Sequence, residues 1–265
     1  MQSCICGNWM EFSPAYSANP APPRRNNMCT VIVLVRPGHE WPLLLAANRD
    51  EMQDRQWDPP GEWWHGVVGG RDRSGGGTWL GVNRHGVVAA VLNRSGSLGP
   101  APGKRSRGSL PLLALEHATA TKAAEAILAL EAHAYRSFNM VLADRTEAIF
   151  VRGLGAGRPH GEVLAEGLHM VTARDPDDAD SKRVARHLPR LRAAGTPKPP
   201  DGWAAWQAIL ADHSGPVESQ INVLPHAGFA TVCSSMIALA ADRGGVWRFA
   251  PGPPDRTPFE SVTMP

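Results

Sequence analysis

Ordered alternation of apolar and polar positions begins abruptly near residue 30. Residues 1–27, MQSCICGNWMEFSPAYSANPAPPRRNN, hold no sustained apolar period and end in a proline-rich, then Arg-Arg-Asn-Asn run suited to neither sheet nor helix. They read as a disordered extension or a mis-assigned start, ahead of one domain over 28–265. Residues 30–35, TVIVLV, are β-branched and apolar enough for a buried strand, and a Pro37-Gly38 turn leads to its hairpin partner, Pro42 to Ala47. Short glycine-punctuated runs at Gly66 to Gly70, Thr78 to Asn83 and Gly86 to Asn93 continue an antiparallel sheet. Ser109 to Glu116 and Thr121 to Ala132 carry helical spacing, with Ser109 and Thr121 as N-caps. Phe138 to Asp144 and Ala148 to Arg152 predict a second hairpin, and Leu168 to Thr172 another strand.

Asp180 to Ala194 places Val184, Leu188 and Leu191 on one helical face, with Lys182, Arg183, Arg186, Arg190 and Arg192 expected on a solvated face. Trp203, Trp206 and Leu210 form the apolar stripe of a short helix after Asp201. Ala230 to Ala241 is a long strand that turns through Asp242-Arg243-Gly244-Gly245 into Val246 to Ala250. Strands, helices, strands, helices and strands in that order predict an α+β fold, a four-layer αββα sandwich of two mainly antiparallel sheets.

The totals narrow the partners more than the chemistry. The 265 residues include 27 Lys and Arg against 25 Asp and Glu, a net charge of +2, which supplies no electrostatic case for nucleic acid. No apolar run approaches the roughly 20 residues that span a bilayer, so no stable membrane insertion is expected. Cys4, Cys6, Cys29 and Cys233 form no Cys-x-x-Cys pair, which argues against a four-ligand metal site and for reduced thiols in a cytoplasm. Oligomeric state leaves no trace in the sequence.

The chemistry concentrates in LLLAANRDEMQDR, residues 43–55, where an apolar strand runs into Asn48-Arg49-Asp50-Glu51. In an antiparallel pair the start of one strand lies beside the end of its partner, so Cys29 should meet Arg49 and Asp50. Met28-Cys29 reads in two ways. If translation starts at Met28, its removal leaves Cys29 with a free α-amine of ordinary pKa about 7.7 to 8.0, able to serve as base for its own thiol. Otherwise Cys29 is a small buried residue at a strand edge. Gly75-Gly76-Gly77, lacking a following Lys-Ser/Thr and helix, reads as a turn rather than a phosphate cradle.

Met28-Cys29, LAANRDE at 45–51 with Arg55, GGTWLGV at 76–82, Ala89-Ala90-x-x-Asn93, Arg107-Gly108 and Phe138-Asn139, taken in order, resemble the NRDE family, also called the transport and Golgi organisation family. The resemblance covers residues 28 to 250. That family is similar in turn to N-terminal-nucleophile (Ntn) hydrolases of the cysteine acylase type. The likeness implies Cys29 as nucleophile and base, Arg49 and Asp50 as its orienting pair and Asn93 as an oxyanion donor. It puts Asn48, Glu51, Arg55, Trp79, Asn139 and Arg174 on the substrate side. Two positions depart from the acylase pattern. Val171-Thr172-Ala173-Arg174 stands where a second asparagine is expected, and Thr231 to Ser235 lacks the arginine many members carry in the last long strand. The resemblance implies an amidohydrolase or thioesterase acting on a small acyl substrate without a cofactor. The alternative it leaves open is a non-catalytic carrier of haem or acyl lipid.

Overall fold

The computed structural model describes residues 29–242 and 244–265. The 1–27 extension, with Cys4 and Cys6, lies outside the described residues, as do Met28 and Arg243.

Two antiparallel sheets stack face to face. One holds β1 (Thr30–Val35), β2 (Leu43–Met52), β10 (Gly167–Val171), β11 (Phe229–Leu239), β12 (Gly245–Ala250) and β13 (Glu260–Val262), in the order β10-β1-β2-β11-β12-β13. The other runs in sequence order through β3 (Trp57–Trp64), β4 (Val67–Asp72), β5 (Thr78–Asn83), β6 (Val88–Asn93), β7 (Phe138–Ala143), β8 (Ala148–Gly153) and β9 (His160–Val163). The period-two alternation of each strand divides the apolar residues into layers. Val31, Val33, Leu43 and Leu45 face Leu80, Val82, Val141 and Phe150 of the opposite sheet. Ile32, Leu44 and Ala46 face α3 (Lys182–Ala193) and α4 (Ala204–Leu210), through Val184, Leu188, Trp203 and Trp206. On the far side, Ala89, Leu142 and Val151 pack under α1 (Ser109–Ala114) and α2 (Ala120–Leu128). The four-layer αββα sandwich expected from the sequence is the observed architecture.

Several local expectations change. β2 does not stop at Ala47 but runs through Asn48-Arg49-Asp50-Glu51 to Met52, because strands on both sides supply partners for its backbone. Trp57–Trp64, with Pro59, Pro60 and Gly61 inside it, is a strand at the edge of its sheet, where missing ladder donors are tolerated and the register shifts twice. The short strands β9 and β13 also carry no clear alternation in sequence. Thr119 rather than Thr121 caps α2, its hydroxyl accepting from the Lys122 backbone N–H, and Gly108 rather than Ser109 occupies the N-cap of α1. Gly77 passes against Gly108 so closely that a Cβ at Gly77 would stand 2.2 Å from the Gly108 carbonyl. The glycine run at 75–77 is therefore a turn that brings the entry of α1 down onto β5, with Gly76 at φ +72°.

Candidate active site

The register of three strands assembles the site. Thr30 lies opposite Asn48, and Arg49 lies opposite Cys233, so Cys29, Arg49 and Cys233 follow one line across β1, β2 and β11. All three lie on the face toward the opposite sheet, as Val31 and Ala47 do, and with Trp79 of β5 they line a cavity of about 20 Å³, room for one water molecule. The Cys29 Sγ–H donates to the Asp50 carbonyl at 3.6 Å. Burial first and the Asp50 carboxylate second push the Cys29 thiol up to about 11, against the Asp50 carbonyl contact and the Arg49 cation. Cys233 is buried more completely, and its thiol is pushed up to about 12.

Arg49 is 5% exposed. Its guanidinium sits 4.1 Å from the centre of the Trp79 ring, with Asp72 at 3.6 Å and Glu51 at 3.8 Å. Its Nη1 has no hydrogen-bond partner among the described residues. A buried, unpaired charged donor costs several kcal/mol unless something occupies it, so the cavity is polarised toward an acceptor. Glu51 also pairs with Arg55 at 3.6 Å, and Arg55 Nε donates to Asp72 at 2.8 Å. Asp72 spends its other oxygen on the Ser74 and Gly75 backbone N–H groups, which ties the glycine turn to this ionic row.

The opposite face of β2 carries a second, drier cluster. The Asp50 carboxylate is fully buried and accepts from Thr231 Oγ1 at 2.6 Å and Arg183 Nη1 at 3.0 Å. Burial raises the Asp50 carboxyl, while Arg183 and Thr231 hold its ionised form. Arg183 Nη1 also donates to Thr30 Oγ1 at 2.9 Å, one residue from Cys29. Arg183 therefore does not belong to the solvated face of α3. Its spacing contains the signal: Arg183, His187 and Leu191 recur at intervals of four beside Val184, Leu188 and Leu191, and all are buried.

Of the other residues singled out in the sequence, Asn48 donates to the Leu210 and Ile221 carbonyls and accepts from Ser234, on the helix-covered face. Asn139 donates to the Thr172 and Arg174 carbonyls and accepts from Arg94, clamping β7 to the end of β10. Arg174 pairs with Asp178 at 3.2 Å and lines a separate cleft of about 200 Å³, beside Lys182 and Glu218. Asn93 closes β6 directly after Ala90, Val91 and Leu92, which line the Cys29 cavity. Sequence reasoning missed Asp72, Thr231 and Arg183, and it gave Arg107 no role. Arg107 donates to the Ser97 and Ser137 carbonyls, and burial first, with Arg136 second, lowers it to about 10. Among the described residues no group of three or more His, Cys, Asp or Glu could hold a metal ion, and no helix is long and apolar enough to cross a membrane.

Comparison with known proteins bears on the fold and on the family. A Caenorhabditis elegans N-acylethanolamine-hydrolyzing acid amidase ortholog superposes at TM-score 0.56, with 13% identity over 89% of this chain and all of its own. A conjugated bile acid hydrolase from Clostridium perfringens aligns at TM-score 0.46 and 9% identity, over 89% of this chain and 97% of that one. The first likeness carries the fold, that of the Ntn hydrolases. Among curated relatives, the mouse Transport and Golgi organization 2 homolog is 33% identical over 138 residues, and the human homolog 32% over 137. Each match covers 48% of this chain, which spans about half (49%) of those relatives' length. The model of the family described as Transport and Golgi organisation 2 matches residues 28–240, well over half of the chain, and the chain belongs to that family.

Proposed function

We propose that this chain is a cytoplasmic N-terminal-cysteine amidohydrolase that cleaves a small non-peptide acyl amide or thioester, with residues 28–265 as its catalytic domain. The observation that carries this reading is the pairing, in one cavity, of the Cys29 thiol with a buried guanidinium whose Nη1 has no partner among the described residues. A thiol held near 11 is a poor nucleophile at neutral pH without a base. A free Cys29 α-amine, the group adjacent to it in the chain, supplies that base.

In the proposed sequence the thiol sulfur attacks the acyl carbonyl carbon as its proton passes to the α-amine. The carbonyl oxygen becomes an oxyanion that accepts from Arg49 Nη1, with Asn93 as a second donor. Collapse breaks the carbon–nitrogen or carbon–sulfur bond, and the leaving group takes the proton from the ammonium. Water, deprotonated by the same amine, then releases the acid and regenerates the thiol. Losing one oxyanion donor costs on the order of 100-fold in rate, which sets the scale expected for Arg49. Trp79 forms the apolar wall beside the reacting carbon, while Glu51, Arg55 and Asp72 fix Arg49 from the outside.

The experiment is steady-state and burst kinetics on a panel of acyl amides and acyl thioesters, with Cys29→Ala and Cys29→Ser in parallel. A product burst equal to the enzyme concentration, abolished in Cys29→Ala, is expected. Undiminished turnover in folded Cys29→Ala ends the reading of Cys29 as nucleophile, and no turnover by the wild type leaves the non-catalytic carrier of haem or acyl lipid as the alternative.

A further inference from the structure

The Asp50–Arg183 pair is the most deeply buried ionic contact in this region, with side-chain exposures of 0% and 4%. Three observations show that it belongs to the Cys29 site rather than to the core at large. The Asp50 carbonyl accepts the Cys29 thiol at 3.6 Å, while the Asp50 carboxylate lies on the other side of the strand. Arg183 reaches from the first turn of α3 to bind both that carboxylate and Thr30 Oγ1, and Thr30 is joined to Cys29 by one peptide bond. Thr231 completes the carboxylate's shell and passes the contact on, accepting the Val223 backbone N–H at 2.8 Å. An ion pair that served packing alone could be replaced by apolar side chains at little cost. This one instead grips Thr30, the residue that follows Cys29 in the chain.

We infer that Arg183 is a positioning residue of the Cys29 site, its guanidinium balancing the Asp50 carboxylate so that a free Cys29 α-amine stays unprotonated and able to accept the thiol proton. This inference rests on the N-terminal-nucleophile reading of Cys29. Its physical basis is the sign of the local charge. Asp50 alone would stabilise the ammonium and leave little free amine near neutral pH, whereas a cation within a few ångströms of the same carboxylate offsets that attraction. The other titratable or charged groups around Cys29 are Arg49 and Glu51 on β2, Cys233 on β11, Asp72 on β4 and Arg107 ahead of α1. Among these, Arg49 is already matched against Glu51 and Asp72.

The test uses the form beginning at Cys29, which retains every described strand and helix and all three apolar clusters, with Cys29 labelled with nitrogen-15. Its α-amine is titrated by NMR in wild type, Arg183→Gln and Arg183→Lys, and iodoacetamide alkylation of Cys29 is followed over the same pH range. The wild-type amine is expected at or below the ordinary 7.7 to 8.0. Arg183→Gln should raise it by about one unit, a tenfold change, with the ascending limb of alkylation moving in parallel, and Arg183→Lys should return both. An unmoved amine in folded Arg183→Gln, or failure of Arg183→Lys to restore it, overturns the inference. If Arg183→Gln does not fold, a wild-type amine titrating above about 9 overturns it, and one at or below the ordinary range supports it. The two readings fail separately. A titration that shifts as expected in a protein that hydrolyses nothing supports the role of Arg183 while ending the hydrolase reading. Cys29-dependent hydrolysis with an unmoved amine does the reverse.

Discussion

Arg49→Met separates what Arg49 does for stability from what it does for Cys29. The substitution keeps most of the side-chain volume beside Trp79 and removes the charge. A desolvated cation over an aromatic face is worth about 2 kcal/mol, and a thioether against the same ring returns up to about 1 kcal/mol. Glu51 and Asp72 keep Arg55, at 3.6 and 2.8 Å, so no carboxylate is left without a cation. These terms leave a loss of about 1 kcal/mol, which removal of the unpartnered, buried Nη1 offsets, so the urea midpoint is expected to fall little or to rise. The thiol responds more strongly. It stands at about 11 with Arg49 pulling it down, so removing Arg49 moves it further up, by about one unit. At any pH below 11 the thiolate fraction of the full chain then falls about tenfold. Alkylation by iodoacetamide at pH 9, located on Cys29 by peptide mass, reads that fraction directly. An unchanged alkylation rate in a folded variant refutes the electrostatic link between Arg49 and Cys29. A collapse of the fold would show instead that the ionic row from Glu51 to Asp72 depends on Arg49.

Two further predictions concern the supports of the site. His187 is fully buried between the Ser219 carbonyl and Arg190, and burial lowers it to about 4. Because the unfolded chain binds this proton near 6.5, the associated stability is complete above that pH. It is lost as pH falls toward 4, by about 2 kcal/mol between pH 8 and pH 5. Urea unfolding at the two pH values should show that loss in wild type and a flatter response in His187→Gln; equal slopes refute it. Asn139→Ala strands the Thr172 and Arg174 carbonyls, while Arg94 keeps Asp175 at 2.7 Å, for a cost of about 2 to 4 kcal/mol. A loss below 1 kcal/mol would contradict the clamp.

The sheet order of chemistry was legible where it depends on strand pairing. TVIVLV at 30–35 is the strand β1 residue for residue, and an antiparallel partner ending in Asn-Arg-Asp-Glu was enough to place Arg49 and Asp50 beside Cys29. The extent of β2 was not legible, because an ionic run looks like a strand end unless the neighbours that satisfy it are known. Thr231 and Arg183, which satisfy Asp50, come from residues 181 and 133 positions away. Arg183 was misread for a related reason. In a helix with five basic residues, charge count suggests a solvated face, while only the four-residue spacing to His187 and Leu191 marks the one arginine that turns inward. The strand Trp57–Trp64 stayed hidden because its prolines and glycine are tolerated only at a sheet edge, and edges are set by topology.

The most direct test of the central proposal is intact-protein mass during turnover, with the N-terminus and any adduct mapped by fragmentation. A chain beginning at Cys29 that gains one acyl mass on the Cys29 sulfur, and loses it to water at the rate of product release, is the predicted result. A fully active chain that retains residues ahead of Cys29, or one whose Cys29 never carries an acyl group, would contradict it.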